Sequence, residues 1–344
     1  MDARFPAARR RGRTIPAILV FLVALVVAAC AGPGATTAPV ATAAPTAASS
    51  STPAPTPTPS PVAAFPVTLT DDEGTSVELQ AEPQKIVSLT PAATETLFAL
   101  GLGDRVVGKV EDFSVYPPEA ASVPDVAKFG SVDVEKIVGL GADLVIAGGS
   151  NFNPPEAIAQ LRSLGVPTVV LFAPDVATAL KDIELIGTAT GAPDKAAGIT
   201  AGITAAFDEV KAATGALPAP RVFYELDASN GFFGPAPDYF GTEMIKVAGG
   251  DPLTSGTPGV YQIEGEKIVA FDPQVVLLGD AAYGVTADQV TARPGWDTIS
   301  AVKDGAIRPI DDVIVTRPGP RLADGIRALA LAIHPDLVLP SAAP

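Results

Sequence analysis

Residues 135–146 read Glu-Lys-Ile-Val-Gly-Leu-Gly-Ala-Asp-Leu-Val-Ile, and residues 266–277 read Glu-Lys-Ile-Val-Ala-Phe-Asp-Pro-Gln-Val-Val-Leu. Each copy predicts a short helix that passes through a tight turn into a buried β-strand. A second pair of similar segments, at residues 94–101 and 242–250, has the same order along the chain. Two matches in one order predict two related lobes. Facing lobes leave a cleft, and clefts between domains are favoured ligand sites.

Short β-branched runs alternate with helical stretches in the first half of the folded region, which predicts parallel βαβ units. Pro91 stands where a first-turn proline belongs, and Gly101 is typical of the end of a helix. The fold class predicted is therefore α/β, with two similar lobes built on parallel sheets. The predicted strands are Lys85 to Leu89, Val106 to Lys109, Asp143 to Ala147 and Thr168 to Phe172.

The lobes are expected to be joined by a helix, a break at residues 191–194, and a long helix from about Asp194 to Thr214. A long helix between two lobes makes a stiff connector. The whole predicted organisation is a signal peptide over 1–29, a lipidated cysteine and tether over 30–64, an N-terminal lobe over 65–175, connecting helices over 176–219 and a C-terminal lobe over 220–344.

The amino terminus predicts export. Five arginines precede an apolar run from Ile15 to Ala29, which is typical of a signal peptide and shorter than the roughly 20 residues of a membrane-spanning helix. The run ends in Val-Ala-Ala-Cys-Ala at residues 27–31, which resembles a bacterial lipobox, so Cys30 is the predicted lipidation site. A plain signal peptide with an incidental cysteine is the alternative. The expected location is the outer face of the plasma membrane or the periplasm.

The stretch from 31 to 64 contains only Ala, Gly, Pro, Thr, Ser and Val. Such a segment buries too little apolar surface to fold and is expected to act as a tether. The formal net charge of the whole chain is -15. Nucleic acid is therefore excluded as an expected partner, since its binding depends on lysine and arginine contacts with phosphates.

Composition also limits the chemistry. Cys30 and His334 are the only cysteine and the only histidine, so zinc or manganese sites and Ser-His-Asp or Cys-His catalysis are disfavoured. We expect no metal site, no resident cofactor and no enzyme. Paired carboxylates at 71–72 and 311–312 are the remaining candidates for acid–base catalysis.

Several segments resemble one family, the solute-binding proteins of cobalamin and ferric-siderophore ABC importers, with the cobalamin-binding branch closest. The resemblance covers about Lys85 to Asp336. It is carried by Ile-Val-Ser-Leu-Thr-Pro-Ala-Ala-Thr-Glu at 86–95, Asp-Phe-Ser-Val-Tyr-Pro-Pro at 112–118, Ala-Gly-Gly at 248–250, Arg-Pro-Gly-Pro-Arg at 317–321 and the two Glu-Lys-Ile-Val segments.

This resemblance implies two lobes joined by one long helix, limited closure, and a ligand held between the lobes. It also implies one exposed glutamate on each lobe that meets arginines of the permease, and these positions match Glu135 and Glu266. The alternative for each is an ordinary acid in the first turn of a helix, where the helix dipole favours it.

A corrinoid or ferric chelate is large, partly flat and amphipathic, so aromatic side chains are expected to line the cleft. Such side chains follow predicted strands or lie in loops, and core packing is the alternative for each. Trp296 is instead interpreted as a core residue. The candidates are Phe113, Tyr116, Phe129 and Phe152 in the first lobe and Tyr224, Phe233 and Tyr261 in the second.

Arg317 matches a family arginine that faces the cleft, and it is predicted to bind a polar group of the ligand. A surface salt bridge is its alternative. Tryptophans that are typical of the cobalamin-binding branch are replaced here by Phe129 and by Val260-Tyr261. Haem therefore stays open, with Tyr116, Tyr224, Tyr261 or Tyr283 as axial oxygen donors.

The predicted function is that of a monomeric, lipid-anchored solute-binding protein that captures a cobalamin-like corrinoid and delivers it to an ABC permease. A ferric siderophore or haem in the same role is the first alternative. A structural surface lipoprotein is the second, although it leaves the repeated lobes and the matched glutamates unexplained.

Overall fold

The computed structural model describes residues 65–340. The predicted signal peptide, the lipidation site Cys30 and the predicted tether therefore lie outside the described residues. In the part that the structure describes, no helix has the length and apolar character needed to cross a membrane.

The first lobe, called the N-lobe, follows the predicted strand–helix alternation. Its elements are β1 Val67–Thr70, β2 Ser76–Leu79, β3 Ile86–Ser88, α1 Pro91–Ala99, β4 Val106–Val110, β5 Asp125–Lys128, β6 Ser131–Val132, α2 Val134–Leu140, β7 Leu144–Gly148, α3 Pro155–Ser163 and β8 Thr168–Leu171. Strands β1 and β2 form a separate antiparallel hairpin. The other six form one sheet in the order β6-β5-β4-β3-β7-β8, parallel except for β5 with β6. Each of the four predicted strands is confirmed to within one residue.

Two helices connect the lobes, α4 Val176–Ala189 and α5 Pro193–Thr214. The Asp175 side chain caps α4 by accepting a hydrogen bond from the Thr178 N–H. At the break, Gly191 adopts φ 75°, and a Cβ added to Gly187 would lie 2.4 Å from the Cβ of Ala196. Glycine at these positions therefore lets the chain reverse and the two helices pack closely. The predicted break and the long second helix are confirmed.

The second lobe, called the C-lobe, is built on a four-stranded sheet in the order β11-β9-β13-β14, parallel throughout. A short pair, β10 with β12, lies beside it. The elements are β9 Arg221–Glu225, β10 Phe232–Phe233, α6 Phe240–Val247, β11 Asp251–Pro252, β12 Gln262–Ile263, α7 Gly265–Phe271, β13 Val275–Leu278, α8 Ala287–Thr291, α9 Ser300–Lys303, β14 Ile307–Pro309, α10 Asp312–Thr316 and α11 Leu322–Ile333.

The sequence repeat corresponds to a structural repeat. Helices α2 and α7 each have 7 residues, and each leads directly into a buried strand of its sheet. Both helices end at a residue in the left-handed region, Gly141 with φ 69° and Asp272 with φ 50°. Asp272 is held there because its carboxylate pairs with Arg221 and accepts hydrogen bonds from the N–H and hydroxyl of Ser300. The predicted helix, turn and strand are confirmed in both copies.

One continuous apolar core runs through both lobes and the connecting helices. Side chains from the N-lobe sheet, from α4 and α5, and from the C-lobe sheet belong to the same buried cluster, as Ile146, Ile203 and Leu277 illustrate. Two smaller clusters cover the opposite face of each sheet, one around Leu161 and one around Trp296. Each sheet is therefore covered on both faces, and the inner faces share their core.

A buried carboxyl group of α4 lies near Asp72 of the β1–β2 turn. Asp182 of α4 is 7% exposed, and its Oδ1 has no hydrogen-bond partner within residues 65–340. Burial, together with the nearby charge of Asp72, raises the pKa of Asp182 to about 8, although Lys181 opposes this shift. Asp182 is therefore protonated and neutral in the folded protein at neutral pH.

The raised pKa of Asp182 predicts how the stability of the folded protein changes with pH. An unfolded chain ionises Asp182 near its ordinary pKa, whereas the folded protein holds the proton up to about pH 8. The contribution of Asp182 to the free energy of unfolding is therefore fully present below about pH 4 and falls by about 1.4 kcal/mol per pH unit up to about pH 8. Asp182→Asn removes this dependence, so the variant gains stability relative to the wild type as the pH rises.

Urea unfolding of both proteins between pH 4 and 9 measures the difference. Asp208→Asn, at an exposed position of α5, is the matched amide control. A constant difference between Asp182→Asn and the wild type across this pH range contradicts the prediction.

Candidate functional site

Parallel strands direct the loops at their carboxyl ends to one edge of a sheet, where α/β proteins bind ligands. In the N-lobe this edge carries a set of exposed aromatic side chains. Their exposed fractions are 92% for Phe113, 76% for Phe129, 51% for Phe172, 47% for Phe152 and 43% for Tyr116. Large exposed apolar surfaces of this kind mark sites of interaction.

Two of these side chains are fixed against each other. Phe129 follows β5 and Phe152 follows β7, and their rings meet edge to face with centroids 6.0 Å apart. The Gly130 N–H donates to the Phe152 carbonyl, which joins the two loops. The structure therefore brings together the predicted residues Phe129 and Phe152. Phe172 was missed because it continues the apolar run of β8 in the sequence.

The C-lobe presents a cavity of about 510 Å³ at the carboxyl ends of β9 and β13. Its lining includes Leu226, Asp227, Ser229, Asp280, Tyr283 and Arg293. The Arg293 guanidinium is paired at 2.5 and 2.7 Å with the buried carboxylate of Glu225 and lies 4.6 Å above the Trp296 ring. Burial and the neighbouring Glu225 raise the pKa of Asp280 to about 6. The cavity thus presents one exposed carboxylate, that of Asp227, and its arginine is neutralised.

The other predicted aromatic residues of the C-lobe differ in accessibility. Tyr224 is 1% exposed and its hydroxyl donates to Asp312 Oδ1 at 2.9 Å. The prediction that Tyr224 contacts the ligand or donates to haem iron is therefore wrong, because both faces of β9 are covered. Phe233 is half-buried in β10, whereas Tyr261 is 39% exposed and packs edge to face on Tyr239. Trp296 is 2% exposed, which confirms its core position.

An ion-pair network crosses between the lobes. Glu95 of α1 is 2% exposed and accepts hydrogen bonds from Arg317 at 2.8 Å and from Arg321 at 2.8 and 2.7 Å. Arg317 also pairs with Asp112, at 2.6 and 2.9 Å. The Arg321 guanidinium lies 4.1 Å above the Tyr116 ring. The two terminal nitrogens of Arg317, predicted to bind the ligand, are therefore committed to carboxylates of the N-lobe, which corrects that prediction.

Glu135 and Glu266 occupy equivalent places. Each is exposed and lies in the first turn of its repeat helix, α2 or α7. The neighbouring lysine points elsewhere in both copies, because Lys136 donates to the Asp125 carbonyl at 2.7 Å and Lys267 to the Ser255 carbonyl at 2.5 Å. Within residues 65–340, neither glutamate has an ion-pair partner.

Among residues 65–340, accessible tyrosine hydroxyls are the side chains suited to bind haem iron. Over the described range, no group of three or more His, Cys, Asp or Glu side chains is placed to hold a metal ion. Tyr283 is 70% exposed at the C-lobe cavity, and Tyr116 and Tyr261 are also accessible, so these hydroxyls remain the candidate axial donors for haem.

Comparison with known proteins gives a consistent result. The sequence profile of the family described as periplasmic binding protein matches residues 86–313. An uncharacterized ABC transporter substrate-binding lipoprotein of Bacillus subtilis, YvrC, is 36% identical over 277 residues, which cover 79% of this chain and 87% of that protein.

Two further similar proteins are named for different ligands. A cobalamin-binding protein of Halobacterium salinarum is 32% identical over 286 residues, covering 79% of this chain and 75% of that protein. The crystallised periplasmic heme-binding protein RhuT of Roseiflexus sp. RS-1 superposes with a TM-score of 0.65 at 27% identity, covering 73% of this chain and 98% of that one. Overall similarity alone therefore does not distinguish the two ligand types.

The interlobe network leads to a prediction about stability. Glu95→Gln leaves two half-buried arginines without a full counter-charge, so it is expected to lower the free energy of unfolding by about 3 kcal/mol. Glu82→Gln is the control, because its pair with Arg105 is largely exposed and is worth no more than about 1 kcal/mol. Urea denaturation of the two variants gives the comparison. Equal losses in both contradict a special role for the Glu95 network.

Proposed function

The chain belongs to the periplasmic binding protein family, and from this premise we propose that it captures a corrinoid between its lobes and delivers it to an ABC permease. The chain is an extracytoplasmic substrate-binding component of an ABC importer for vitamin B12, haem or siderophore-type ligands. Such proteins bind solutes for transport, and the family is in general not enzymatic.

The single observation that carries the ligand proposal is the set of exposed aromatic side chains at the carboxyl edge of the N-lobe sheet, together with a cavity at the corresponding edge of the C-lobe sheet. Exposed rings such as Phe129 and Phe152 suit the faces of a flat macrocycle. In the C-lobe cavity, the exposed carboxylate of Asp227 suits a ligand periphery that donates hydrogen bonds, such as the amide groups of a corrinoid.

Charge supports the corrinoid over haem. Arg293, Arg317 and Arg321 are each paired with a carboxylate of the protein. Haem brings two propionates, which need cationic partners, and these three guanidinium groups are already used within the protein. Lys128, exposed beside Phe129, is available to one propionate and keeps haem as the second candidate. Haem remains the second candidate because Tyr261 and Tyr283 present accessible hydroxyl groups.

The remaining parts of the proposal concern attachment and delivery. Cys30, when lipidated, anchors the protein, and the tether keeps the folded part near the membrane. Glu135 and Glu266 dock on arginines of the permease. Exposed ion pairs of this kind contribute about 0 to 1 kcal/mol each, so they favour correct orientation and allow release.

Titration calorimetry with cyanocobalamin, a ferric hydroxamate siderophore and haemin tests the ligand assignment. Of these three compounds, we expect only cyanocobalamin to bind tightly to the chain that lacks residues 1–30. The double variant Phe129→Ala with Phe152→Ala is expected to weaken this binding by about tenfold or more, since buried aromatic contacts dominate such interfaces. Leu164→Ala, exposed away from the edge, is the control. If haemin is the only compound that binds, the ligand is haem and the corrinoid assignment is wrong.

Charge reversal tests the docking assignment. The double variant Glu135→Lys with Glu266→Lys is expected to abolish cyanocobalamin uptake by cells that carry only this copy, while cyanocobalamin affinity stays unchanged. Glu78→Lys with Asp208→Lys makes the same change in net charge at exposed positions elsewhere. Normal uptake by the first variant, or equal loss in both, rules out docking through these two glutamates.

A further inference from the structure

The segment 112–116 of the N-lobe comes shortly after β4 and carries Phe113 and Tyr116, which are 92% and 43% exposed. Among the described residues, no backbone group of this segment forms a hydrogen bond with the rest of the N-lobe. The segment is braced internally, because the Ser114 N–H donates to Asp112 Oδ1 at 2.9 Å. Its backbone is therefore not anchored by hydrogen bonds to the sheet beside which it lies.

The polar contacts that fix the segment come from the C-lobe. Arg317 pairs with Asp112 at 2.6 and 2.9 Å, and its Nη1 also donates to the Ser114 carbonyl at 3.3 Å. The Arg321 guanidinium lies 4.1 Å from the centroid of the Tyr116 ring. The residues on both sides of Phe113 are thus held by side chains of the opposite lobe.

This attachment keeps an apolar ring exposed. Apolar surface in water is unfavourable, so a free segment is expected to fold Phe113 back against the protein. The pair of Asp112 with Arg317 opposes this movement, because it fixes the residue directly before Phe113. The Asp112 side chain is 9% exposed and both of its oxygens are bonded within the protein. Its effect on a ligand must therefore pass through the residues that it holds.

We propose that the ion pair between Asp112 and Arg317 positions the segment 112–116 for the ligand. The pair holds the Phe113 ring where the ring contacts the corrinoid, and neither charged group binds the ligand itself. Arg321 does the same for the Tyr116 ring. This proposal rests on the proposed function. An N-lobe ligand contact then depends on residues of the C-lobe, so the binding surface is complete only while the lobes keep their separation.

Asp112→Asn tests the proposal. The substitution removes the charge that attracts Arg317, whereas Arg317 keeps its pair with Glu95, so the variant is expected to fold. If the segment then occupies its binding position about one tenth of the time, the apparent affinity for cyanocobalamin falls about tenfold. Titration calorimetry on the full-length protein, purified in detergent, measures this loss.

A double-mutant cycle with Phe113→Ala separates positioning from a general structural effect. Without the ring there is little to position, so Asp112→Asn is expected to weaken binding by no more than about threefold in the Phe113→Ala protein. Equal losses in both backgrounds overturn the proposal. So does wild-type affinity in Asp112→Asn, or in Phe113→Ala, because the ring then makes no contact with the ligand.

Glu209→Gln is the matched control. It neutralises the carboxylate of another part-buried ion pair, which joins α5 to Arg327 of α11 at 2.9 Å. Cyanocobalamin affinity is expected to stay within about twofold of the wild type, since this pair lies on other elements than the segment 112–116. Urea unfolding of both variants confirms that they are folded. A tenfold loss of affinity in Glu209→Gln contradicts a particular role for Asp112.

Failure of the proposed function gives a different result. If the wild type binds haemin or the ferric hydroxamate siderophore instead of cyanocobalamin, the corrinoid assignment is wrong, and the same cycle with the compound that binds tests the positioning. If the wild type binds none of the three compounds, both the proposed function and the positioning role are refuted.

Discussion

The shared apolar core around α4 and α5 is the constraint on which the rest of the structure depends. A residue such as Ile203 lies in the same buried cluster as Ile146 of the N-lobe sheet and Leu277 of the C-lobe sheet. Moving one lobe against the other would expose part of this cluster to water, which costs roughly 25 cal/mol for each Å². The lobes therefore keep a nearly fixed separation, and the cleft between their carboxyl edges has a set width.

Electrostatic contacts complete this arrangement at the cleft. The carboxylate of Glu95 is removed from water, and it is tolerable there because Arg317 and Arg321 both donate to it. These arginines belong to the other lobe, so the network forms only when both lobes are in place. Because these arginine charges are used within the protein, they are not available to a ligand, and the site suits a ligand with few negative charges.

Much of this organisation was predictable from the sequence because it depends on local patterns. The repeated Glu-Lys-Ile-Val segments predicted helix, turn and strand in both lobes, and Gly191 with Pro193 marked the break before α5. Phe129 and Phe152 were predicted as ligand contacts because they are aromatic and lie in loops, and both lie at the carboxyl edge of the N-lobe sheet.

The predictions that proved wrong concern residues whose surroundings are set by tertiary contacts. Tyr224 lies within β9, and strands of a parallel sheet are covered on both faces, so its position near a strand end did not mean exposure. Arg317 meets Glu95 across 222 residues of sequence, and no local pattern indicates such a pairing. The surface depression beside Glu266 was also missed, because its walls come from β10, α7 and the segment around Trp296.

The turn after α7 has one more consequence, which concerns the order of assembly. Gly141 adopts its left-handed conformation at no steric cost, so the turn after α2 is available to an isolated segment. Asp272 adopts the same conformation against its intrinsic preference and is held by Arg221 and Ser300. The two turns have the same backbone conformation. The first requires only its own glycine, whereas the second requires the contacts of Asp272 with Arg221 and Ser300. The turn after α2 therefore carries no backbone strain, whereas the turn after α7 depends on contacts that exist only when β9 and α9 have come together.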